Sequence, residues 1–370
     1  MARSRRRATV LAVAAPLLLV AALVSSALTP LRASAQMEFR GDEGTLRLGG
    51  QMDMHYLAAS PDGQNDDFLI RRAWITINAT YNDFLRADFT YDAVTNLVFD
   101  ASVGFAFDPA FRVSFGRFKR SFDLFVLNSI GDIPFLERAG TVPGVQPACT
   151  GVGTVCTYGR LSERLLFANR DTGLRVQGSL GRFGYDASVT NGTPGGARDT
   201  NDAKSVAARV TWSPTQGVEV GMNGTIKDFD APGGDAEYAH AWGPDFTIGT
   251  WRDGLHVQGG FLAGENWLSY AGPPAPGADP AGPGTFVTAQ VQATYYVPVD
   301  SDRLEGIEPL FRISVADPDD GIDDDGGLLV TPGFAAYFVG RNRISLNLDW
   351  YDPASGDAVW ALRVGTLLFY

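Results

Sequence analysis

The side chains with the clearest capacity for chemistry are arginines that recur on the polar side of alternating segments. A guanidinium group is planar, keeps its charge at physiological pH and binds carboxylate or phosphate oxygens in pairs. Eight such arginines alternate with apolar neighbours, and three further basic residues lie together at the foot of one long loop. The eight are Arg47, Arg72, Arg86, Arg175, Arg209, Arg312, Arg343 and Arg363, and the three are Arg117, Lys119 and Arg120.

These basic residues predict a channel wall along which anions bind and move from one arginine to the next. The same faces also carry carboxylates, and opposed rows of arginine and acid are typical of pores without charge preference. The inward-facing acids are Asp53, Asp88, Glu219, Glu308 and Asp349. The pattern therefore leaves the choice between anion preference, no preference and cation preference open.

Few other residues offer a reactive or metal-binding site. The three histidines, His55, His240 and His256, form no metal-ligand spacing, and no motif of a nucleophile elbow, phosphate loop or zinc protease is present. We therefore expect no metal, no cofactor and no catalytic residue. The acidic run Asp317–Gly327 has carboxylates at spacings that suit Ca²⁺, but it lacks a complete twelve-residue loop with its final Glu, which favours a solvated acidic loop.

The composition excludes several classes of protein. The chain has 370 residues and a net charge of −12, with 45% hydrophobic and 11% aromatic residues. A negative balance disfavours nucleic acid as a partner, because phosphate backbones bind basic surfaces. The apolar content is too high for a disordered chain. Length alone suggests two or three soluble domains, but β-barrels of this size form one domain.

The first 35 residues are typical of a secretory signal peptide. Arginines at positions 3, 5, 6 and 7 precede an apolar stretch over 8–28, and Ala33-Ser34-Ala35 is a small-residue cleavage site. An uncleaved membrane anchor is the alternative. Cleavage would remove five arginines and no acid, so the mature domain 36–370 would carry a net charge of −17. We expect the protein to cross an inner membrane into an oxidising space, where Cys149 and Cys156 would form a disulfide in preference to a free pair or a metal site.

Nearly all of the remaining chain alternates with period two, as β-strands with one apolar and one polar face do. In 45–56, for example, Leu46, Met52 and Met54 oppose Arg47 and Asp53. About sixteen such segments can be counted, and the connections after even-numbered segments are short while several after odd-numbered ones are long. Short turns at one rim and long loops at the other indicate an all-β, transmembrane antiparallel barrel in the outer membrane, with short periplasmic turns and long extracellular loops.

The final segment gives a separate indication. Trp360, Leu362, Val364, Leu368 and Tyr370 occupy alternate positions, and the chain ends on the last aromatic. A closing strand of this form resembles the signal that the β-barrel assembly machinery reads, so we expect that machinery to be a partner through Tyr370. An ordinary amphipathic last strand is the alternative.

Four runs, over 68–92, 111–122, 135–139 and 168–178, resemble the phosphate/polyphosphate-selective porin family, of the outer-membrane porin O and P type. The positions that match its motifs are Phe115, Gly116, Phe118 and Lys119, then Phe135, Glu137 and Arg138, then Arg170, Asp171 and Gly173. The resemblance implies a sixteen-stranded barrel, usually a homotrimer, whose third loop folds inward to narrow the pore. It also implies lysine clusters in the pore, whereas this chain has three lysines, of which Lys119 alone lies on a motif.

The loop over about 123–164 is too long for a hairpin connection and contains many apolar residues, so we expect it to pack on the inner wall as the constriction. A cap over the outer mouth or the trimer is the alternative. A barrel of sixteen strands leaves an aqueous channel unless it is plugged. We therefore predict passive diffusion of small hydrophilic solutes, with anions such as phosphate implied by the resemblance. A plugged structural barrel and an outer-membrane barrel enzyme are the other classes. If the protein is an anion channel, Lys119→Glu is predicted to lower the preference for anions over cations.

Overall fold

The computed structural model describes residues 37–193, 199, 201–230, 236–269 and 282–370. The predicted signal peptide lies outside these residues, so its prediction stands as made. None of the helices in the described ranges has the length and apolar content needed to cross a membrane.

Strands make up most of the described chain, and two of them are short additions to longer neighbours. The first nine are β1 (Met37–Arg40), β2 (Gly44–Ala59), β3 (Asp67–Tyr81), β4 (Leu85–Asp92), β5 (Leu97–Asp108), β6 (Phe111–Lys119), β7 (Arg170–Leu180), β8 (Phe183–Thr190) and β9 (Ser205–Thr215). The others are β10 (Val218–Asp230), β11 (Ala236–Thr250), β12 (Asp253–Asn266), β13 (Gly284–Tyr295), β14 (Val297–Pro298), β15 (Gly306–Asp317), β16 (Gly327–Tyr337), β17 (Arg343–Pro353) and β18 (Val359–Phe369).

The sheet closes into an antiparallel barrel. Each long strand pairs with its neighbours in sequence, and β18 pairs with β2, where Leu368 lies opposite Met52. The backbone of the final residue, Tyr370, completes this seam by exchanging hydrogen bonds with Gly50. Since β1 only adds to the end of β2 and β14 continues β13, the wall of the barrel has sixteen strands, as predicted. Closure leaves no long unpaired edge.

Alternation assigns the two faces of each strand. Apolar side chains such as Ile75, Val210 and Phe311 are exposed on the outside, whereas Gln51, Asp53 and other polar residues point inward and are buried. Apolar side chains are favourable in lipid, and the backbone groups of a closed barrel are already hydrogen-bonded to one another. This exterior is therefore compatible with a membrane.

The connections differ at the two rims. The turns between β5 and β6, β7 and β8, and β9 and β10 each contain two residues, and Gly217 in the last of them adopts a φ of 76°, which glycine reaches without strain. The opposite rim carries the longest connection in the described chain, from β6 to β7, which we call the third loop (Arg120–Asn169). The sequence predicted that this loop ends near 164, but helix Tyr158–Arg164 occupies that stretch and β7 begins only at Arg170.

The third loop lies inside the barrel. It contains helix α1 (Leu124–Leu127), a 3-10 turn (Ile130–Asp132) and helix α2 (Tyr158–Arg164). Its apolar side chains, among them Phe122, Phe125 and Leu161, pack with wall residues such as Leu262 and Phe286 in one buried cluster. This cluster is a hydrophobic core enclosed by the barrel, so the loop folds inward and does not merely cap the mouth.

The path of the loop follows strand β17 from one rim to the other. The carbonyl of Gly131 accepts a hydrogen bond from Arg343 at the start of β17, and the amide of Leu136 donates to Asn347 at 2.8 Å. Further along, the amide of Cys156 donates to the hydroxyl of Tyr351 at 3.0 Å. The loop therefore descends to the short-turn rim and returns, which covers the inner wall from β10 through β18 to β2.

Candidate permeation pathway

Arginines of the wall hold the returning part of the third loop. Arg312 donates to the carbonyls of Glu137 and Arg138 at 3.0 and 2.8 Å, and Arg343 donates to that of Ile133 at 2.6 Å. Carbonyl oxygens of an irregular loop need donors when they are buried, and a guanidinium group supplies several in one plane.

Four of the basic residues predicted to line the pore are therefore buried between the loop and the wall. Their exposed fractions are 4% or less, because loop backbone covers their guanidinium groups. The residues are Arg120, Arg312, Arg343 and Arg363. Arg363 and Arg312 share Asp349 on the wall, and Arg120 binds Thr225 of β10 and the carbonyl of Leu166. Alternation predicts Arg312, Arg343 and Arg363 on the inner face, and the sequence predicts Arg120 at the foot of the loop. All four fasten the loop and leave no free guanidinium on an open surface.

A second fastening joins the loop to β3. Arg72 binds Asp53 of β2 and, at 2.7 Å, Glu137 of the loop. Arg71 also binds Glu137, at 2.6 Å. Burial alone would raise the pKa of Glu137, but the charges of Arg72 and Arg71 outweigh burial and lower that pKa. Glu137 is therefore a carboxylate at neutral pH, and Arg72, predicted on the pore wall, is largely committed to it.

Lys119 and Arg138 meet at the carboxyl end of helix α1. Lys119 donates to the carbonyls of Asn128 and Leu127 at 2.8 and 3.3 Å, and Arg138 donates to those of Phe125 and Asn128 at 2.7 and 2.8 Å. Burial lowers the pKa of Arg138 to about 10, which leaves it charged at neutral pH. Carbonyl partners carry only partial charges, so Arg138 keeps its net positive charge inside the barrel.

The space that the loop leaves free lies along strands β3 to β9. Toward the long-loop rim it forms an outer cavity of about 290 Å³ between the loop and β3 to β7. Six guanidinium groups and three carboxylates line it. The arginines are Arg71, Arg72, Arg117, Arg138, Arg160 and Arg170, and the acids are Asp92, Glu137 and Glu163. By formal charge the cavity lining carries an excess of three positive charges.

Toward the short-turn rim, two adjoining spaces of about 640 and 290 Å³ form what we call the inner chamber. Arg112 and Arg175 line both spaces. The basic residues of the chamber are Arg86, Arg112, Arg175 and Arg209, and the acids are Asp83, Asp88, Asp108 and Asp186. The chamber is therefore balanced in charge, in contrast to the outer cavity.

The other predicted basic residues fall into three places. Arg86, Arg175 and Arg209 line the inner chamber. Arg86 pairs with Asp88, Arg175 pairs with Asp186, and Arg209 pairs with both Asp245 and Glu219. Arg117 lines the outer cavity and donates to the carbonyl of Val98 at 2.9 Å. Arg47 lies at the start of β2, where it binds Glu38 of β1 at 3.3 Å, away from both spaces.

Five arginines on this pathway were missing from the predicted set. Arg138 and Arg170 stand on family motifs, and Arg112 alternates with Phe111 and Val113, so a signal for these three existed in the sequence. Arg71 lies at a register shift between β2 and β3, where alternation fails. Arg160 lies on α2, a helix inside a loop.

The two cysteines lie in the loop near the long-loop rim. Cys149 and Cys156 form a disulfide with their Cα atoms 5.3 Å apart. The Sγ atom of Cys156 also lies 3.2 Å from the carbonyl of Asp325, in the acidic run after β15. In the ranges that the structure describes, no group of three or more His, Cys, Asp or Glu side chains is placed to hold a metal ion.

Comparison with known proteins identifies the barrel. The family model of phosphate-selective porin O and P matches residues 45–245, which is more than half of the chain. Among curated protein sequences, none matches.

Solved structures with the same fold include OmpT of Vibrio cholerae in its trimer form, at 13% identity and a TM-score of 0.60, covering 89% of this chain and 100% of that one. The anion-selective porin from Comamonas acidovorans matches with the same identity, score and coverage. The channel DcaP of Acinetobacter baumannii matches at 14% identity and a TM-score of 0.57, over 90% of this chain and 99% of that one.

The match covers the strands that form the free wall of the channel, together with the whole third loop and its Phe-Leu-Glu-Arg run at 135–138. The barrel, its closed seam and its inward loop agree with this result. The chain belongs to the phosphate-selective porin O and P family and is a porin of the bacterial outer membrane.

Proposed function

We propose that this porin conducts small anions, phosphate among them, down their gradient, and that the outer cavity provides the preference. The observation that carries the proposal is the excess of guanidinium groups over carboxylates in the lining of that cavity. A fixed positive charge in a narrow aqueous passage raises the local concentration of anions and repels cations. The charge of the whole chain, −12, does not determine the sign at the constriction.

The kind of partner that each cation has strengthens this proposal. A guanidinium group paired with a carboxylate contributes little net field, whereas one bound to a carbonyl keeps its charge. Arg117 and Arg138 belong to the second kind, with hydrogen bonds to backbone carbonyls. These two cations of the cavity lining account for the positive field that anions would meet at the loop.

A second candidate function is an unselective diffusion channel, and the inner chamber favours it. There, four arginines and four aspartates line the wall, so the lining carries no net formal charge. If the inner chamber limits the current, the protein would pass anions and cations equally. The two candidates therefore differ in which of the two spaces controls permeation.

The reversal potential of the refolded protein in planar bilayers under a KCl gradient distinguishes them. The proposal expects a potential of the sign given by chloride permeation, and it expects added phosphate to reduce the chloride current. A potential near zero would favour the unselective channel. A potential of the opposite sign would contradict both candidates and make the acidic residues dominant.

We further propose that the mature domain 36–370 is a homotrimer, inserted in outer-membrane lipid by the β-barrel assembly machinery. The trimer form of the Vibrio cholerae neighbour and the terminal aromatic support this proposal. The Tyr370 side chain lies on the exterior, where its hydroxyl donates to the carbonyl of Trp74 at 2.9 Å. Tyr370→Ala is expected to reduce the amount of folded protein in the outer membrane, and cross-linking of the wild type tests the trimer. Diffusion through such a channel involves no covalent step, so the proposal includes no enzymatic activity.

A further inference from the structure

The outer cavity contains an apolar surface that inorganic anions do not need. Trp74 of β3 and Phe99 of β5 line it as an edge-to-face pair, with ring centroids 5.4 Å apart and planes at 85°. Both rings are half-buried. Across the cavity, Ile130 and Ala139 of the third loop add apolar atoms to the lining. The cavity lining therefore combines aromatic rings with guanidinium groups.

A cation is fixed directly at the aromatic rings. The guanidinium carbon of Arg170 lies 4.8 Å from the centroid of Phe99, and its Nε and Nη2 atoms bind Asp100 at 2.9 and 3.1 Å. Asp100 holds this guanidinium in place through Nε and Nη2, so the N–H groups of Nη1 are the ones that can donate to an anion in the cavity. Arg138 lines the same cavity from the loop side.

We propose that the outer cavity binds small aromatic monocarboxylates, with benzoate as the simplest representative. Their ring would lie on Trp74 and Phe99, and their carboxylate would face the guanidinium groups of Arg138 and Arg170. A planar carboxylate matches the geometry of a guanidinium group, and an aromatic ring gains from edge and face contacts with other rings. Phosphate or acetate would use the guanidinium groups but gain nothing from the rings. This inference rests on the proposed anion preference and names a substrate class within it.

The volume of the cavity agrees with this class. About 290 Å³ is at the lower end of the range for pockets that hold organic molecules, and such pockets combine apolar walls with a few oriented polar groups. A single inorganic anion would leave most of the aromatic surface in contact with water.

Block of the chloride current in planar bilayers tests the inference. Benzoate, acetate and phosphate are added separately at pH 7.5, where both carboxylates are ionised. We expect benzoate to reach half-block at about three- to tenfold lower concentration than acetate, as aromatic contacts of this kind predict. Benzamide, which has the ring without the charge, is expected to block weakly.

Two variants locate the effect. Phe99→Leu and Trp74→Leu are each expected to remove most of the difference between benzoate and acetate in the half-blocking concentration. Trp242→Leu is the matched control, because that tryptophan lies on the exterior of the barrel, 51% exposed, and is expected to keep the difference. Having two variants keeps the test valid if one of them fails to fold.

Equal half-block by benzoate and acetate in the wild type would overturn the inference, and so would a difference that persists in both leucine variants. The reversal potential, measured in the same bilayers, reports the proposed function separately. Anion preference without a ring effect would reject the aromatic substrate class alone, whereas absence of anion preference would reject the proposed function.

Discussion

Arg72 and Glu137 form an ion pair inside the barrel, with Nη2 of Arg72 2.7 Å from Oε2 of Glu137, although 65 positions separate them in the chain. One belongs to strand β3 and the other to the third loop. Both are less than one-tenth exposed. Their contact fixes the loop to the wall at the edge of the outer cavity, so the width of the passage depends on it.

Glu137→Gln is expected to loosen the third loop. The substitution leaves Arg71 and Arg72 without their shared carboxylate, and breaking one side of a buried pair costs about 3–5 kcal/mol. We expect a larger single-channel conductance with frequent transitions between levels. Asp132→Asn is the control, because its pair with Arg341 also involves the third loop but is exposed and contributes about 1 kcal/mol or less. Identical conductance and noise in wild type and Glu137→Gln would contradict this role of the pair.

Arg170→Gln is expected to weaken anion preference. It removes one positive charge from the outer cavity and leaves Asp100 uncompensated. A local change of about 0.5–1 kcal/mol in the energy of an ion would lower the chloride-to-potassium permeability ratio roughly two- to fivefold. The measurement is the reversal potential in a KCl gradient. Arg182→Gln, on an exposed turn where the guanidinium binds the carbonyl of Pro214, is expected to leave the ratio unchanged.

Lys119 is expected to affect both charge and loop position. Lys119→Glu should lower the preference for anions, and it should also displace α1, because a carboxylate would face the carbonyls of Leu127 and Asn128. Lys119→Met separates the two effects, since it removes the charge without adding repulsion. We expect a shifted reversal potential in both variants and altered conductance chiefly in Lys119→Glu. An unchanged reversal potential in both would remove Lys119 from the selectivity of the channel.

Docking of the third loop is expected to weaken as the pH rises from about 4 to 6. Asp123 accepts hydrogen bonds from Ser162 at 2.6 Å, the amide of Phe125 at 2.9 Å and Tyr158 at 3.2 Å, which joins α1 to α2. Burial raises the pKa of Asp123 from its ordinary value of 3.8 to about 6, against these hydrogen bonds and the charge of Arg138. The docked loop therefore keeps a proton that the undocked loop loses in this interval.

Single-channel noise between pH 4 and pH 8 measures this effect. In the wild type we expect noise to rise up to about pH 6 and then level off. Above the pKa of Asp123 in the docked loop, this carboxyl is ionised whether the loop is docked or undocked. Asp123→Asn should abolish the dependence. Asp132→Asn is the control, since Asp132 forms an exposed pair with Arg341 and is expected to retain the wild-type profile. A profile in Asp123→Asn that matches the wild type would show that another group titrates.

Opening the disulfide is expected to increase the mobility of the distal part of the loop. A cross-link between residues seven positions apart lowers the conformational entropy of the undocked loop. On the chain-entropy model this stabilises the docked loop by about 2–3 kcal/mol. The ring that it closes is tied to α2 by the hydrogen bond from Arg164 to the carbonyl of Val152, at 3.2 Å. Reduction, or Cys149→Ser with Cys156→Ser, should therefore speed tryptic cleavage at Arg160 and Arg164 about tenfold or more. Reductant should have no effect on the serine variant, and equal cleavage rates in all forms would contradict the prediction.

The sequence by itself determined the barrel, because each strand of a membrane barrel has one face toward lipid and one toward the polar interior. Apolar and polar residues therefore alternate along the strand. Lipid on one side requires an apolar residue at every second position, which is why Ile344, Leu346 and Leu348 could be separated from Arg343, Asn347 and Asp349. The lengths of the connections then separated the two rims. Motif residues such as Glu137 and Arg138 could be recognised without knowledge of what they contact.

Only the tertiary structure decided which polar residues of the inner face meet water. Alternation reports the side of the sheet but not whether another segment covers it, and the third loop covers Arg312, Arg343 and Arg363 through contacts between residues about two hundred positions apart. Local irregularities also defeat alternation, as at Arg71 beside a register shift and at Arg117 after Gly116, whose φ is 122°. The positive excess of the outer cavity therefore arises from the path of the loop, which no local pattern in the sequence records.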